Sequence, residues 1–301
     1  MTTPPTVPAG DDPGPAVWLD LAQAALDKAY DQAQWAPNMA QVLQRFGSAS
    51  EAARQRLGAP RRLRYGPADV EQLDFFDCGR EGAPLVVFLH GGAWRSGLAR
   101  DYAFVAELYL PAGIHLAVPD FAWVQDCNGD LRVVADQVRR AIAWVHEQAG
   151  SLGADPDRLF LSGHSSGAHL AAVAAVTDWA ARGLPEDLVK GCVLCSGSYD
   201  LEPVRRSSRS RYLSIDDAAA HDLSPIRHLD RLSQPLAVAW GSLESPEFQR
   251  QGQAMAQAAS SAGLSVESLV AEDFNHFEIL ETLATPAGLL GRAALRQVLG
   301  D

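Results

Sequence analysis

The sequence has few cysteines, no long apolar run and fewer basic than acidic residues. Four cysteines in 301 residues are too few and too scattered for a disulfide scaffold, which predicts a reducing, cytoplasmic setting. With 25 Lys and Arg against 37 Asp and Glu, the formal net charge is −12. This balance disfavours nucleic-acid partners, whose phosphates require clustered cations. The longest apolar run, residues 170–176, is far shorter than a membrane span, so no membrane partner is expected.

Composition divides the chain into a tail, a main domain and one excursion. Residues 1–15 are rich in Pro, Gly, Thr and Asp and predict a flexible N-terminal tail. Residues 16–301 predict a single domain that begins with two helices over residues 16–57, broken near Pro37. Residues 200–234 interrupt the later alternation of strand and helix patterns, and we interpret them as a small cap or lid.

Strand and helix patterns alternate along most of the chain. The runs LVVFL, IHLAVPD, RLFLSG, GCVLCSG and PLAVAWG predict buried strands, with helices predicted over residues 131–148, 166–181 and 246–262. Repeated strand–helix units join parallel strands through right-handed crossovers. The predicted fold class is therefore α/β, with a doubly wound, mostly parallel sheet and helices on both faces.

The segment GHSSG, residues 163–167, matches the pattern G-x-S-x-G and lies between the strand pattern RLFL and an Ala-rich helix pattern. A sharp strand-to-helix turn requires glycines beside the serine, because a Cβ there would collide with the neighbouring chain. Such a turn would hold Ser165 clear of the sheet as a nucleophile. The alternative, a glycine turn with an incidental serine, is disfavoured by this context.

The segment HGGAW, residues 90–94, directly follows the buried strand pattern LVVFL. Adjacent glycines let backbone amides face a substrate without obstruction by side chains, and such amides can stabilise a tetrahedral oxyanion. The amides of Gly91 and Gly92 are the candidates, with the amide of Ser166 as the third. His90 itself is expected to order the loop by hydrogen bonding.

A serine nucleophile needs a base, and an imidazole can take its proton and later return it. His276, in the segment DFNHFE, follows the last predicted strand and therefore lies on the side of the sheet where Ser165 emerges. Apart from His90, the other six histidines lie in a helix, in a strand, in or next to the GHSSG turn, or in the insertion over residues 200–234, and they are expected to be structural.

An acid must hold the imidazole in the correct tautomer. Glu244 follows the strand pattern PLAVAW and gives the chain order serine, acid, histidine. We select Glu244 on this placement. Because Asp is a common acid in this role and Glu has a longer side chain, Glu247 and Asp200 remain as alternatives.

These segments resemble the α/β-hydrolase superfamily, and within it the branch of kynurenine formamidases (arylformamidases) and hormone-sensitive-lipase-type esterases. The likeness is carried by HGGAW, GHSSGAHLAA, GSLESPEFQRQ and NHFEIL, together with DKAYDQAQ near the N-terminus. Carried over by position, it implies Ser165 as nucleophile, Glu244 as acid, His276 as base, and Gly91, Gly92 and Ser166 as the oxyanion hole. One departure is Ala93, which stands where esterase members often have a third glycine.

The resemblance implies cleavage of an N-formyl amide of an aromatic amine through an acyl-enzyme, with no metal or cofactor. The alternative is a carboxylesterase for short-acyl or aromatic esters, and a minor alternative is a ligand-binding protein that keeps the fold without turnover. The expected partner is a small-molecule substrate, and a homodimer is left open. We interpret Trp94, Trp123 and Tyr199 as apolar walls for an aromatic leaving group.

Two further patterns have competing interpretations. The basic stretch RRSSRSR, residues 205–211, either attracts a carboxylate-bearing substrate or, as we favour, forms a solvated loop. Cys192 and Cys195 have CxxC spacing, but positions i and i+3 of a strand point to opposite faces. We therefore predict two core thiols rather than a metal site or a redox pair.

Overall fold

The computed structural model describes residues 14–300, so most of the tail predicted over residues 1–15 lies outside the described residues. Within the described part, a short antiparallel hairpin of β1 (Ala16–Trp18) and β2 (Leu21–Ala22) precedes the first helix. The prediction of helix from residue 16 is wrong there, because Leu19 has a left-handed φ of 49°, which ends any regular helix.

Two helices follow the hairpin, but the break between them begins earlier than predicted. They are α1 (Gln23–Tyr30) and α2 (Met39–Leu57). The carboxylate of Asp31 accepts a hydrogen bond from the Ala33 amide and caps a short 3-10 helix between them. Since an aspartate side chain competes for backbone donors, it stops α1 well before Pro37.

The remaining elements alternate as the sequence predicts. The strands are β3 (Arg61–Arg64), β4 (Gln72–Phe76), β5 (Ala83–Leu89), β6 (His115–Pro119), β7 (Ala154–His164), β8 (Cys192–Cys195), β9 (Leu236–Gly241) and β10 (Val266–Ala271). The helices are α3 (Ala106–Tyr109), α4 (Leu131–Gln148), α5 (Ser166–Ala175), α6 (Glu202–Arg206), α7 (Asp217–Asp222), α8 (Pro246–Ser261), α9 (Glu278–Glu281) and α10 (Leu289–Leu299).

Strands β3 to β10 form one sheet in the order β10-β9-β8-β7-β5-β6-β4-β3. Only the pairs β3–β4 and β4–β6 of this described sheet are antiparallel, and the other neighbours are parallel. From β7 the later strands β8, β9 and β10 are added on one side, whereas β6, β4 and β3 lie on the other side of β5. The sheet is therefore wound in two directions. The predicted α/β class with a doubly wound, mostly parallel sheet is confirmed.

Two hydrophobic cores cover the two faces of the sheet. In β5, Leu85, Val87 and Leu89 join the first core, whereas Val86 and Phe88 join the second. The first core also takes residues from α1, α4, α5 and α8, and the second from α2, α3 and α10. Because the strands are buried on both faces, they consist of continuous apolar runs rather than alternating ones.

The two cysteines of the CxxC spacing lie in different cores. Cys192 packs in the first core and Cys195 in the second, both are free, and burial raises the pKa of both thiols. This confirms that β8 directs them to opposite faces.

Helix α5 ends earlier than the predicted residue 181. Its last residue is Ala175, and the Thr177 hydroxyl bonds back to the Val173 carbonyl while Asp178 accepts from the Ala181 amide. These side chains offer the backbone local partners that compete with a continued helix.

The predicted cap region lies between β8 and β9. It holds α6, α7 and short 3-10 helices, including Ser208–Arg211, and it contacts the N-terminal segment through hydrogen bonds between Gln23 and Arg206 and between Arg209 and Tyr30. Nowhere in residues 14–300 is a helix both long enough and apolar enough to cross a bilayer.

Candidate active site

Ser165 stands on the sharp turn between β7 and α5. Its backbone has φ 57° and ψ −124°, a conformation that L-residues rarely adopt. A Cβ at Gly163 would overlap the carbonyl of Gly167, and one at Gly167 would overlap the carbonyl of Leu89. Only glycines therefore fit beside this strained serine, which accounts for the G-x-S-x-G spacing.

Three predicted residues from separate loops meet in one hydrogen-bonded chain. Ser165 Oγ lies 2.8 Å from His276 Nε2, and His276 Nδ1 lies 2.8 Å from Glu244 Oε2. The side chains follow β7, β10 and β9, whose carboxyl ends meet at one edge of the sheet. All three are buried, with Ser165 only 6% exposed. The arrangement can pass a proton from the hydroxyl to the imidazole while the carboxylate stabilises the resulting cation.

Glu244 is held by two donors that leave one of its oxygens for the imidazole. Oε1 accepts hydrogen bonds from the Ser196 hydroxyl at 2.6 Å and from the Gly241 amide at 2.7 Å, and Oε2 faces His276. Sequence reasoning missed Ser196, although its position directly after β8 places it at the same sheet edge. These bonds fix the orientation of the carboxylate.

The two rival acids have other partners. Glu247 forms a two-nitrogen ion pair with Arg250 and accepts a hydrogen bond from the Tyr30 hydroxyl. Asp200 pairs with Arg227. The structure therefore brings Glu244, and neither rival, to the imidazole.

The loop after β5 has three successive residues with positive φ. Gly92, Ala93 and Trp94 have φ values of 122°, 53° and 59° in succession. A Cβ at Gly92 would overlap the Ser96 carbonyl, and one at Gly91 would lie 3.3 Å from the Ser165 Cβ. The loop thus brings Gly91 next to the nucleophile, and Ser166, the third predicted oxyanion donor, is the first residue of α5.

His90 stabilises this loop through ring stacking and a hydrogen bond. Its ring stacks on Phe121 at 4.4 Å and on Tyr102 at 5.4 Å, and its Nδ1 lies 2.9 Å from the Gly91 carbonyl. Burial lowers the pKa of His90, which keeps the imidazole neutral.

Two more buried histidines support the site without reaching Ser165. His164 donates from Nε2 to the His276 carbonyl at 2.7 Å, and His169 accepts from the Trp94 indole at 3.2 Å while donating to the Leu223 carbonyl. Burial is the main cause that lowers the pKa of His164 to about 3 and that of His169 to about 4. Both are therefore neutral supports for the loops on either side of the nucleophile.

Ser165 and His276 open into a cavity of about 980 Å³. Its aromatic lining comes mainly from the N-terminal helices, the cap region and the loop after His276. These aromatic residues are Tyr30, Phe46, Tyr102, Tyr212 and Phe277. A cavity of this size suits a small organic molecule with an aromatic ring.

The predicted aromatic walls do not line this cavity. Tyr199 is fully buried, and its hydroxyl accepts from the Gly197 amide. Trp94 is buried against His169, and the half-buried Trp123 donates to the Gly97 carbonyl. The prediction is wrong because indole and phenol groups that find a hydrogen-bond partner inside the core pack there.

The basic stretch also departs from prediction at one residue. Arg205 and Arg206 pair with Glu202, as expected for a solvated loop, and Arg211 is exposed. Arg209 is instead only 6% exposed and lines the cavity. The solvated-loop interpretation therefore fails for Arg209, which aromatic rings cover.

Among the described residues, one group has the chemistry of a metal site. Asp77, Cys78 and His115 have ligand atoms within 4.8 Å of one another, at the opposite end of the sheet from Ser165. Nδ1 of His115 already accepts the Cys78 amide at 3.2 Å, which occupies that lone pair. This group is separate from the cavity.

Comparison with known proteins places the chain in a family. The BD-FAE family profile matches residues 77–256, which is more than half of the chain and runs from the end of β4 through most of α8. The chain belongs to the BD-FAE family.

Relatives of this BD-FAE protein share most of its length. Kynurenine formamidase of Danio rerio is 29% identical over 294 residues, covering 93% of this chain and 98% of the relative. A crystal structure of a Silicibacter sp. protein superposes with a TM-score of 0.77 at 26% identity, covering 89% of this chain and 97% of that one. An esterase of Pyrobaculum calidifontis, 19% identical, shares the fold with a TM-score of 0.69 over 87% of this chain and 93% of its own. The resemblance to the α/β-hydrolases is confirmed, and the chain is a hydrolase of that superfamily.

Proposed function

We propose that this protein is a serine hydrolase that cleaves the N-formyl amide of an aromatic amine, as an arylformamidase does. The observation that carries the proposal is the chain Ser165–His276–Glu244, with 2.8 Å at both links, at the floor of an aromatic-lined cavity. A binding protein without turnover has no need of a strained serine backed by a buried imidazole and carboxylate.

The first half of the reaction acylates the serine. Ser165 Oγ attacks the formyl carbon as His276 Nε2 takes the hydroxyl proton, and Glu244 stabilises the imidazolium. The carbonyl oxygen becomes an oxyanion, for which the amides of Gly91, Gly92 and Ser166 are the donors. The C–N bond then breaks, His276 returns the proton to the departing nitrogen, and the free arylamine leaves.

The second half regenerates the serine. A water molecule attacks the formyl ester as His276 takes one of its protons, and collapse returns that proton to Ser165 Oγ and releases formate. The net change is one formamide and one water converted to one arylamine, one formate and one proton released to solvent, and no other reactant is required.

Two features support a small acyl group on an aromatic leaving group. Ser165 is 6% exposed, and a Cβ on Gly91 would lie 3.3 Å from the Ser165 Cβ, so little space beside the serine is free for a large acyl group. The cavity that Ser165 lines is large and carries five aromatic side chains. A relative that matches over 93% of this chain is a kynurenine formamidase.

A carboxylesterase is the second candidate. The same serine, imidazole and amide donors cleave esters by the same steps, because an alkoxide leaving group needs less protonation than an amine. An esterase shares this fold.

The four cysteines are free, which fits the reducing, cytoplasmic setting proposed for either activity.

Parallel kinetics on the two substrate types test the proposal. We expect kcat/KM for N-formylkynurenine to exceed that for p-nitrophenyl acetate and butyrate, with formate and arylamine formed in equal amounts. Ser165→Ala should abolish both activities, and a serine-directed phosphonate should label Ser165 alone. Ester turnover without formamide turnover would establish the carboxylesterase, and a phosphonate adduct elsewhere would overturn the assignment of the nucleophile.

A further inference from the structure

Arg209 occupies an unusual place for a cation in this protein. It lies in the 3-10 helix Ser208–Arg211 of the cap region, is only 6% exposed, and lines the cavity that contains Ser165 and His276. Neither half of the hydrolysis described above uses its guanidinium.

Three aromatic rings surround the guanidinium. Its Cζ lies 5.3 Å from the ring centre of Tyr30, 5.5 Å from that of Trp94 and 5.7 Å from that of Phe248. One hydrogen bond, from Nη2 to the Tyr30 carbonyl at 3.3 Å, uses one of its five N–H donors. Aromatic faces offset part of the cost of removing a cation from water and fix its plane.

Arg209 has no carboxylate partner within 4.0 Å in residues 14–300, whereas Arg250, Arg205 and Arg206 do. Lys28, Arg95 and Arg211 also line the cavity, but they are exposed to solvent. Arg250 takes Glu247, the residue next to Phe248, and Arg205 and Arg206 share Glu202. A buried cation without a counter-ion is costly, so a purely structural position would favour a paired or neutral side chain.

The surrounding rings also connect Arg209 with the reacting groups. Trp94 lies in the loop that carries the Gly91 and Gly92 amides. Phe248 packs edge-on against His276 with ring centres 4.9 Å apart. One aromatic ring therefore separates the guanidinium from the imidazole, a distance that a substrate side chain of a few atoms can span.

We propose that Arg209 is a specificity-determining residue that binds a carboxylate on the leaving-group side of the substrate. The inference rests on the proposed function and narrows its substrate to aryl formamides that carry an anionic chain. A guanidinium presents two parallel donors to a carboxylate, a geometry that Lys cannot reproduce. The acidic residues that also line the cavity are partly or fully exposed, so water screens their charge. They are Asp27, Asp31 and Asp101.

A matched pair of substrates tests this on the unmodified protein. One is a formanilide with an ortho chain that ends in a carboxylate, and the other has the same chain capped as a primary amide. We expect kcat/KM to be about 10- to 100-fold higher for the carboxylate, mainly through KM, since charge-assisted hydrogen bonds are worth that much when buried. Equal values would overturn the inference whatever any variant does.

Variants assign the preference to this side chain. Arg209→Gln should raise KM for the carboxylate substrate and leave the amide-capped one within a few-fold, and Arg209→Lys should recover only part of the difference. Arg206→Gln is the control, because it removes the same charge from the same stretch but lies outside the cavity. If Arg206→Gln reduces the preference for the carboxylate as much as Arg209→Gln does, the summed positive charge of residues 205–211, and not Arg209 itself, selects the anion.

A third substrate pair separates this inference from the formamidase proposal. Phenyl acetates with the same two ortho chains report the carboxylate preference through ester cleavage. A preference seen only with the esters would retain the role of Arg209 and reject the formamidase. Turnover of formamides with no preference in either pair would retain the formamidase and reject the role of Arg209. Competitive inhibition by 4-oxo-4-phenylbutanoate, but not by its methyl ester, gives the same readout without turnover.

Discussion

At the scale of single residues, Glu244 is a buried carboxylate whose two oxygens have different partners. Ser196 donates to Oε1, while Oε2 faces His276. Ser196→Ala removes one of the two donors to Oε1 and lets the carboxylate turn. We expect kcat to fall about tenfold with little change in KM, because a lost hydrogen bond to a buried charge costs roughly 1.5–3 kcal/mol, part of it recovered by relaxation. Steady-state kinetics on any accepted substrate measures this.

Ser224→Ala is the control for that experiment. Ser224 is equally buried and lies outside the cavity, and its hydroxyl donates to the Ala220 carbonyl and accepts from the Leu201 amide within the cap region. It should change kcat less than twofold at a comparable change in thermal stability. A kcat for Ser196→Ala that matches the Ser224→Ala value would show that Ser196 does not orient the acid.

Gly92 offers a second prediction at this scale. Its φ is 122°, and a Cβ would overlap the Ser96 carbonyl, so Gly92→Ala must move the loop that faces Ser165. We expect kcat to fall by about 10² or more, the effect of losing one oxyanion donor. Gly58→Ala is the matched control, since Gly58 has φ 93° with open space around it and lies outside the cavity. Equal losses in the two variants would attribute the effect to backbone strain and not to the oxyanion donors.

The sequence predicts the reacting residues better than their surroundings. Ser165, Glu244 and His276 each follow a strand, and the carboxyl ends of parallel strands converge at one edge, so chain order alone brings them together. Ser196 also follows a strand, β8, and reaches the same edge. Arg209 carries no such local signal, because its role depends on which distant segments pack over it. The aromatic lining was predicted in the wrong place for the same reason, since Tyr30 reaches the cavity from a helix far away in sequence.

At the scale of elements, buried strands were predictable because both of their faces are covered, which leaves continuous apolar runs such as LVVFL. Helices α4 and α8 were predictable from their apolar periodicity and from the caps Asp130 and Ser245. The N-terminal hairpin was not, because its strands of three and two residues are too short for any period to show. The early end of α5 depends on Thr177 and Asp178, whose effect is local and stereochemical.

The start of α2 is tied to the loop that carries His276. The side-chain Nδ2 of Asn38 donates to Glu278 Oε1 at 2.6 Å, and its side-chain Oδ1 accepts from Asn275 Nδ2 at 2.8 Å. Asn38→Ala removes both bonds, so we expect amide hydrogen exchange over residues 275–281 to accelerate and the free energy of unfolding to fall by about 1–2 kcal/mol. Gln55→Ala, on the exposed side of the same helix and bonded only to Glu51, should change neither. Unchanged exchange in Asn38→Ala would show that α2 does not stabilise the loop.

At the scale of the whole molecule, burial of histidines ties folding stability to pH. His164 and His169 are neutral in the folded protein because burial lowers their pKa values to about 3 and about 4. In the unfolded chain each takes up a proton near the ordinary histidine value of about 6.5. The unfolded state therefore binds more protons between these limits, and stability rises with pH there. Their contribution is complete above pH ~6.5 and is lost as the pH falls towards the folded-state values.

We expect the free energy of unfolding, measured by denaturant titration at fixed salt, to fall below pH 6 with a slope of up to about 1.4 kcal/mol per pH unit for each of the two histidines. Protonation of carboxylates adds to the slope in this acidic protein, so the histidine share is a difference between variants. His169→Gln keeps a donor for the Leu223 carbonyl and an acceptor for the Trp94 indole but cannot be protonated. Between pH 6 and 4.5 its free energy of unfolding should fall less steeply than that of the unmodified protein, by up to about 1.4 kcal/mol per pH unit. Above pH 7 the plots of unfolding free energy against pH should run parallel for the two proteins. Parallel plots over the whole pH range would contradict the prediction, because they would mean that folding does not lower the pKa of His169.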